Sequence, residues 1–207
     1  MTISYAITVC DELDEIVRLL NLLLEKKREQ DEIVVLFDTS KQSGRVEALL
    51  IGHRNKGNIK LVQDKFDRHF ADWKNKLTDK CSGDYIFQID ADEYPSDYLL
   101  EFLPSILESN PDVEAYHVPR INTVEGLTQD HIRRWGWRVS PEGWVNFPDN
   151  QWRIWKKKPY IKWVNKVHER LDGFKNFIIL PSESDFCLIH PKTIERQERQ
   201  NNFYSSI

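Results

Sequence analysis

"YIFQIDADEYPS", residues 85–96, is an apolar run that ends in three carboxylates, Asp90, Asp92 and Glu93. A strand buried on both faces reads as a continuous apolar run, and "YIFQI" (85–89) has that form. Like charges at the end of such a strand either meet water or face something positive. The neighbouring segments decide between the two.

Upstream, "SYAITV" (4–9) is a short apolar strand leading into "CDELDEIVRLLNLLLEKKREQ" (10–30). There Leu13, Ile16, Val17, Leu20, Leu23 and Leu24 recur at helical spacing. Asp11 is placed as the N-cap, with acids in the first turn and Lys26, Lys27 and Arg28 in the last, as the helix dipole favours. "EIVVLF" (32–37) reads as a strand buried on both faces. A helix from about Gly44, a strand at "IKLVQ" (59–63) and a helix around 70–80 follow. Strands alternating with helices predict an α/β protein with a mostly parallel sheet and right-handed crossovers. In such sheets ligands lie beyond the carboxyl ends of the strands. Those ends carry Cys10-Asp11-Glu12, Asp38-Thr39-Ser40 and Asp90-Ala91-Asp92-Glu93, three acidic tips on one edge.

After Ser96 the pattern changes. "DYLLEFLPSILES" (97–109) is helical and is predicted to kink or divide at Pro104. "EAYHVPRI" (114–121) is a strand, and 121–150 reads as irregular, with Gly126, Gly136, Pro141, Gly143 and Pro148. "QWRIWKKK" (151–158) and "YIKWVNKVHERL" (160–171) read as two strands around a basic turn, and "IERQERQNNFY" (194–204) as a polar helix. Neither a repeat nor a linker interrupts the chain. The expectation is one domain, 1–207, with a ligand-binding half at 1–95 and a mixed, β-rich half at 96–207.

The 207 residues are 40% hydrophobic and 30% charged, a composition of globular proteins. No apolar stretch approaches the roughly 20 residues of a membrane-spanning helix, and "MTISYAITVC" does not read as a secretion leader. Cys10, Cys81 and Cys187 are odd in number and lack metal-ligand spacing, so they read as reduced thiols of a cytoplasmic protein. The net charge of −4 is uneven: residues 131–170 hold ten Lys or Arg against three Asp or Glu, leaving +7 there and −11 elsewhere.

Asp-x-Asp at a strand end suits a divalent cation bound to a diphosphate. Hard oxygen ligands favour Mg²⁺ or Mn²⁺, with phosphates completing the shell. The plain alternative is a solvated strand end. "FADWKNKLTDKCSGDYIFQIDADEYPS" (70–96) resembles the central signature of family 2 glycosyltransferases, which have a GT-A fold, and in particular of short lipopolysaccharide-core-type members. "ITVCDELDEIVRLLNLLL" (7–24) is similar to that family's first strand and helix, and "DEIVVLFDTS" (31–40) to its second strand. "QWRIWKK", "NKVHERL" and "CLIHP" are similar to its Arg-containing strand, its Val-His-Glu motif and its C-terminal His. The stretch 121–155 also resembles glycosyltransferases encoded by large tailed bacteriophages. Two departures stand out. Ser40-Lys41-Gln42 replaces the family's Ser-Thr-Asp, and Lys74-Asn75 replaces its Arg-Asn, which turns a guanidinium fork into a point charge.

The resemblance implies a metal-dependent transferase that moves a sugar from a nucleotide-diphosphate sugar, with UDP favoured, to a hydroxyl. It implies a nucleoside pocket lined by Thr8 and Asp38 with Glu12 close by, and a diphosphate contact at Lys74 and Asn75. Asp90 would face the ribose and the metal, Asp92 would bind the metal, and His190 would complete its coordination. An inverting transfer needs a carboxylate to take the acceptor proton; Glu169 ranks first and Asp149 second, and a retaining route stays open. Six of the seven tryptophans fall between 135 and 163. Trp135 and Trp137, at alternate positions, offer a stacking floor for an acceptor, whereas Trp152, Trp155 and Trp163 read as core. Arg138, with Arg133 and Arg134, offers contacts to an anionic acceptor, a glycan or a modified DNA base. Lys156, Lys157 and Lys158 read as a solvated turn, and Arg153, inside a strand, as a residue with a fixed partner.

Two other classes compete. A nucleotidyltransferase would show a glycine-rich phosphate loop after the first strand, and "TVCDELDE" (8–15) contains no glycine. A nucleic-acid-binding module on the basic, Trp-rich half leaves the acidic tips unexplained.

Overall fold

The computed structural model describes residues 1–41 and 43–204, with side chains described as far as Asn201. Gln42, part of the first departure above, lies outside the described residues. Three parallel strand pairs build the first half: β1 (Ile3–Val9) between β2 (Glu32–Asp38) and β4 (Tyr85–Asp90), with β3 (Lys60–Asp64) outside β2. The connecting helices are α1 (Leu13–Lys26), α2 (Gly44–Asn55) and α3 (Phe70–Lys80).

Residues alternate between the faces of these strands. Ile3, Tyr5, Ile7, Ile33, Val35 and Phe37 pack with Ile16, Leu19, Leu20 and Leu23 of α1, and with leucines of α4 (Asp97–Ser109). Ala6, Val34, Leu36 and Ile86 pack on the other face with Ala71, Trp73 and Leu77 of α3. Both faces of the sheet are therefore covered, which is why "EIVVLF" is apolar throughout.

The second half continues the same sheet. β6 (Ala115–Glu125) and β7 (Val145–Lys156) pair antiparallel, and β7 also pairs antiparallel with β4. Beyond β6 lie β10 (Phe177–Ile179) and β11 (Leu188–Thr193), and β11 meets the short β5 (Tyr94–Pro95). The order is β3-β2-β1-β4-β7-β6-β11-β5, with β10 also on β6. The expected mostly parallel α/β sheet flanked by helices, with a mixed second half, is the architecture found.

Four expectations need correction. Asp11 does not cap α1: Glu12 is the N-cap residue, its carboxylate accepts the Cys10 and Asp11 N–H groups, and Asp11 pairs instead with Lys41 at 2.9 Å. Pro104 does not divide its helix. α4 runs unbroken because Leu99, Leu100, Leu103 and Leu107 are all buried along one stripe, whose packing outweighs one missing hydrogen bond. The stretch 121–150 is largely ordered, since β6 runs to Glu125, α5 (Gln129–Trp135) has a Thr128 capping box, and β7 starts at Val145. Finally, 151–158 and 160–171 do not form one hairpin. β7 is committed to β4 and β6, and 160–171 folds into its own two-stranded sheet, β8 (Lys162–Val164) with β9 (Arg170–Asp172). The side chain of Asn75 fastens this hairpin to α3: Nδ2 donates to the Trp163 carbonyl at 2.8 Å and Oδ1 accepts the Trp163 N–H at 2.9 Å.

No helix among the described residues is long and apolar enough to cross a membrane. Cys10, Cys81 and Cys187 are free thiols.

Candidate active site

Strand register carries most of the site to one edge. Thr8 stands opposite Asp90 in the β1–β4 pair, and Arg120 opposite Asp149 in the β6–β7 pair. Asn122 stands opposite His190 in the β6–β11 pair. Across Tyr116–His117 the pairing of β7 steps from Ile154 to Trp152, so Arg153 is the extra residue of a bulge. Bulges re-aim side chains; this one sends a guanidinium toward the end of β4.

The three carboxylates therefore do face positive charge, and the protein supplies it. One guanidinium nitrogen of Arg153 donates to Asp90 Oδ2 at 2.7 Å and to Glu93 Oε1 at 2.6 Å. Arg120 donates to the same Glu93 oxygen at 2.6 Å and, through two nitrogens, to Asp149 Oδ2 at 2.9 and 2.7 Å. Arg153 is 2% exposed and Glu93 not at all. Burial disfavours the Asp90 carboxylate, but Arg153, Lys74 and Arg120, with a hydrogen bond from Thr8 at 3.0 Å, overcome it and hold the group well below the usual range. Asp149 is half-buried, and Arg120 with hydrogen bonds from Asn122 and Gln151 outweighs the cost of that burial and leaves it lowered. Arg153 thus has the fixed partners that its place in a strand suggested.

The network continues to His190. Asn122 Nδ2 donates to Asp149, which can only accept, so Asn122 Oδ1 faces His190 Nδ1 at 2.7 Å as an acceptor. His190 Nδ1 therefore carries a proton, and Nε2 is the atom 3.1 Å from Asp92 Oδ2. Arg196 of α6 (Ile194–Tyr204) also reaches that oxygen, at 3.2 Å, and Glu12 at 3.4 Å. Burial raises Asp92, but the His190 hydrogen bond and charge outweigh it and bring the group down to about 2.

Two cavities open on this network. The first, about 380 Å³, is lined by Thr8, Glu12, Asp38, Lys74, Asp90 and Asp92, with Phe66, Phe70 and Trp73 as an aromatic wall. The acidic tips expected to converge do so here. Asp38 is fixed by the Ser40 and Phe66 N–H groups at 2.8 and 3.0 Å. Cys10 also lines this cavity, its thiol pushed up to about 12 by burial and Asp38. Lys74 is not free: its ammonium lies 2.5 Å from Glu169 Oε1 and 4.2 Å from the Trp163 ring centre. The second cavity, about 420 Å³, is lined by Trp137, Asp149 and residues of α6, and shares Arg120, Glu169, His190 and Lys192 with the first. Burial pushes Lys192 down to about 8.

Three expected residues stand apart from both cavities. Asn75 is committed to Trp163, as described. Trp135 stacks on His131 at 5.1 Å, and Arg138 is exposed on the surface. Of the acceptor set only Trp137 lines either of these two cavities. The other basic residues are dispersed: Arg133 pairs with Asp130, Arg134 with Glu198 at 3.2 Å, and Lys156 and Lys157 meet the carbonyls of Pro111 and Cys81 at the opposite end of the sheet. Trp155 and Trp163 are buried, and Trp152 packs against His117, Phe174 and Phe177. Sequence reading missed Arg120, Asn122, Lys192 and Arg196. The available signal for the first was a charge inside an apolar strand, "HVPRI".

Asp90, Asp92 and His190 were expected to hold a metal. Among the described residues no group of three or more His, Cys, Asp or Glu is arranged to hold one. Asp90 is turned to Arg153 and Thr8, and only Asp92 and His190 face each other. That pair still fits the chemistry of Mg²⁺ or Mn²⁺ in nucleotide sites, where one or two protein ligands suffice and phosphates complete the shell. The fixed Nδ1–H of His190 leaves Nε2 as the ligating atom.

The family description "Glycosyl transferase family 2" matches residues 4–179. No sequence among the curated proteins matches the chain. Among solved structures, residues 1–349 of Staphylococcus aureus TarS match with a TM-score of 0.59 at 15% identity, covering 92% of this chain and 60% of that one. The same fragment in complex with UDP-GlcNAc gives 0.60 at 16% identity, covering 93% and 59%. The chain therefore spans about 60% of those structures, and at this identity the likeness speaks for the fold.

Proposed function

Since the chain belongs to glycosyl transferase family 2, we propose that it transfers a sugar from a nucleoside-diphosphate donor to a hydroxyl acceptor. The observation that carries this is the convergence of Thr8, Asp38, Asp90 and Asp92 on one cavity bounded by aromatic rings. Asp38 is oriented to accept from a nucleoside, and the wall of Phe66 and Trp73 offers a stacking face for a base. Asp90, locked by Arg153, takes the ribose side. UDP is the favoured nucleotide; TarS, similar in fold, has been solved with UDP-GlcNAc.

The reaction depends on Mn²⁺ or Mg²⁺ held by Asp92 and His190, with Asp90 behind them. When bound, such an ion neutralises charge on the departing diphosphate. Arg196, which touches Asp92 here, Lys74 and Lys192 are cations this chain itself brings to that end of the cavity.

Transfer is inverting, with a carboxylate removing the acceptor proton. Sequence ranked Glu169 before Asp149, and the geometry favours the reverse order. Asp149 rides a central strand, is oriented by Arg120, Asn122 and Gln151, and among the described residues has Oδ1 bonded only to Gln151. Glu169 lies in a connection beside His168, whose φ is 54°, and its carboxylate is taken by Lys74. The protein functions as one domain, with 1–95 holding the nucleotide and 96–207 the acceptor, and with Arg153 and His190 reaching the donor cavity from the second half. The three free thiols fit a cytoplasmic location.

The test is transfer or donor hydrolysis by Asp149→Asn and Glu169→Gln. Loss of a general base costs about 10²–10⁴-fold in kcat while nucleotide affinity stays within a factor of two. A loss of that size in Glu169→Gln alone overturns the assignment to Asp149.

A further inference from the structure

Resting on the glycosyl-transfer reading, we infer that the second cavity takes an uncharged saccharide as acceptor, and not an anionic polymer. The cavity has the volume of a small-ligand site, and its chemistry comes from Trp137 and from carboxamides on two elements. Asn146 Oδ1 accepts the Arg138 N–H at 2.9 Å, and its Nδ2 has no partner among the described residues. Gln200 Oε1 is taken by Lys192, which leaves its Nε2. Gln197 Nε2 donates to Asn201 at 2.9 Å, which leaves Oε1. Gln197 and Gln200, three residues apart on α6, share one helix face. The polar helix "IERQERQ" thus supplies a wall of the site.

The remaining bonding capacity is therefore mixed: amide N–H donors from Asn146 and Gln200, and an amide oxygen from Gln197. Sugar hydroxyls are donor and acceptor at once and satisfy both kinds. A phosphate or carboxylate only accepts, and would leave Gln197 Oε1 unpaired. It would also meet Asp149 and Glu169 on the same wall. Of the cations there, Arg120 is committed to Glu93 and Asp149 and His190 to Asp92, while Lys192 donates to the Gln200 amide oxygen. Of the +7 window that suggested an anionic acceptor, Arg133, Arg134 and Arg153 have acidic partners, lysines sit at the far end of β7, and Arg138 is exposed outside this cavity. An indole face beside mixed amides is the lining a pyranose fits, its C–H face on the ring and its hydroxyls on the amides.

Saturation-transfer NMR with the methyl glycosides of glucose, galactose and mannose, and with a short single-stranded oligodeoxynucleotide and polyphosphate, tests this. Each probe is read with and without UDP. At least one glycoside is expected to show saturation transfer that weakens about fivefold or more in Trp137→Ala. It should also weaken in Gln197→Ala, and change little between about 50 and 200 mM salt, where phosphate contacts would fade. The inference is overturned if no glycoside responds up to tens of millimolar. It is equally overturned if the oligonucleotide or polyphosphate binds with steep salt dependence and is lost in Trp137→Ala. Gln197→Ala, at a helix surface, guards against loss of fold in the tryptophan variant. UDP binding, followed on the same samples, separates the two readings: its absence from the parent removes the transferase reading, while its presence with no glycoside response removes only the acceptor inference.

Discussion

Replacing Arg153 by Met keeps an unbranched stem in the core and removes the guanidinium that joins Asp90 to Glu93. Arg153 is 2% exposed and Glu93 fully buried, with contacts of 2.7 and 2.6 Å. Removing one partner of a buried ion pair costs about 3–5 kcal/mol, because a charge is left uncompensated. Here Glu93 keeps Arg120 at 2.6 Å and Asp90 keeps Thr8 at 3.0 Å. The Arg153 Nε, buried without a partner, is no longer a burden in the variant. Both considerations put the expected loss at the lower end, about 3 kcal/mol. For a chain of this length that corresponds to a fall in Tm of roughly 6–12 °C. Urea unfolding at neutral pH measures it, with unchanged m confirming the same transition. Adding Glu93→Gln removes the orphaned charge, so the double variant recovers at least about 1 kcal/mol relative to the sum of the single losses. A single-variant loss under about 1 kcal/mol, or plain additivity, would refute the claim that the protein itself neutralises these acids.

Gly83→Ala would bring a Cβ to 2.7 Å from the Ser4 nitrogen and 2.9 Å from the Ile3 carbonyl carbon. Those atoms are backbone of a central strand, so a loss of about 1–3 kcal/mol is expected in urea. Asn75→Ala removes both bonds that tie Trp163 to α3 and should lower stability by about 2 kcal/mol, with nucleotide affinity unchanged by calorimetry. A selective loss of affinity would restore the diphosphate role that the resemblance implied. Asp92, at about 2 when folded against 3.8 as a free side chain, contributes stability that is complete above pH 3.8 and fades as pH falls toward 2. That contribution is about 2 kcal/mol; the lead of the parent over Asp92→Asn should narrow in urea titrations as pH falls from about 4 to 2, and a constant lead would contradict it.

The first half was legible because its signals are local. Runs such as "EIVVLF" and the leucine spacing of α1 each report burial within one element, and the acidic tips follow from the rule that sites lie at strand ends. What stayed hidden depends on pairing between distant segments. Nothing near Glu93 announces Arg120 or Arg153, which come from β6 and β7 and meet it only because β7 runs antiparallel between β4 and β6. The bulge that turns Arg153 toward Asp90 is likewise a property of the pairing. Local reading also overweighted the glycines and prolines of 121–150 and the proline of α4, where tertiary packing overrode propensity. Lys74 and Glu169 were each assigned a separate role, yet they are paired at 2.5 Å across 95 positions of sequence. The polar helix α6 carried no functional signal, and its Arg196, Gln197 and Gln200 gain meaning only where the chain folds back on the site.

The central claim is that a nucleoside diphosphate binds where the strand tips converge, with Asp92 holding the cation that accompanies it. Calorimetric titration of UDP and GDP into the parent and into Asp92→Ala, each with and without Mn²⁺, tests it most directly. Binding of one nucleotide to the parent, tighter with Mn²⁺, is expected, with loss of the metal-dependent gain in Asp92→Ala while the variant remains folded. Equal affinity with and without Mn²⁺ in both proteins, or no binding of either nucleotide to the folded parent, would contradict it.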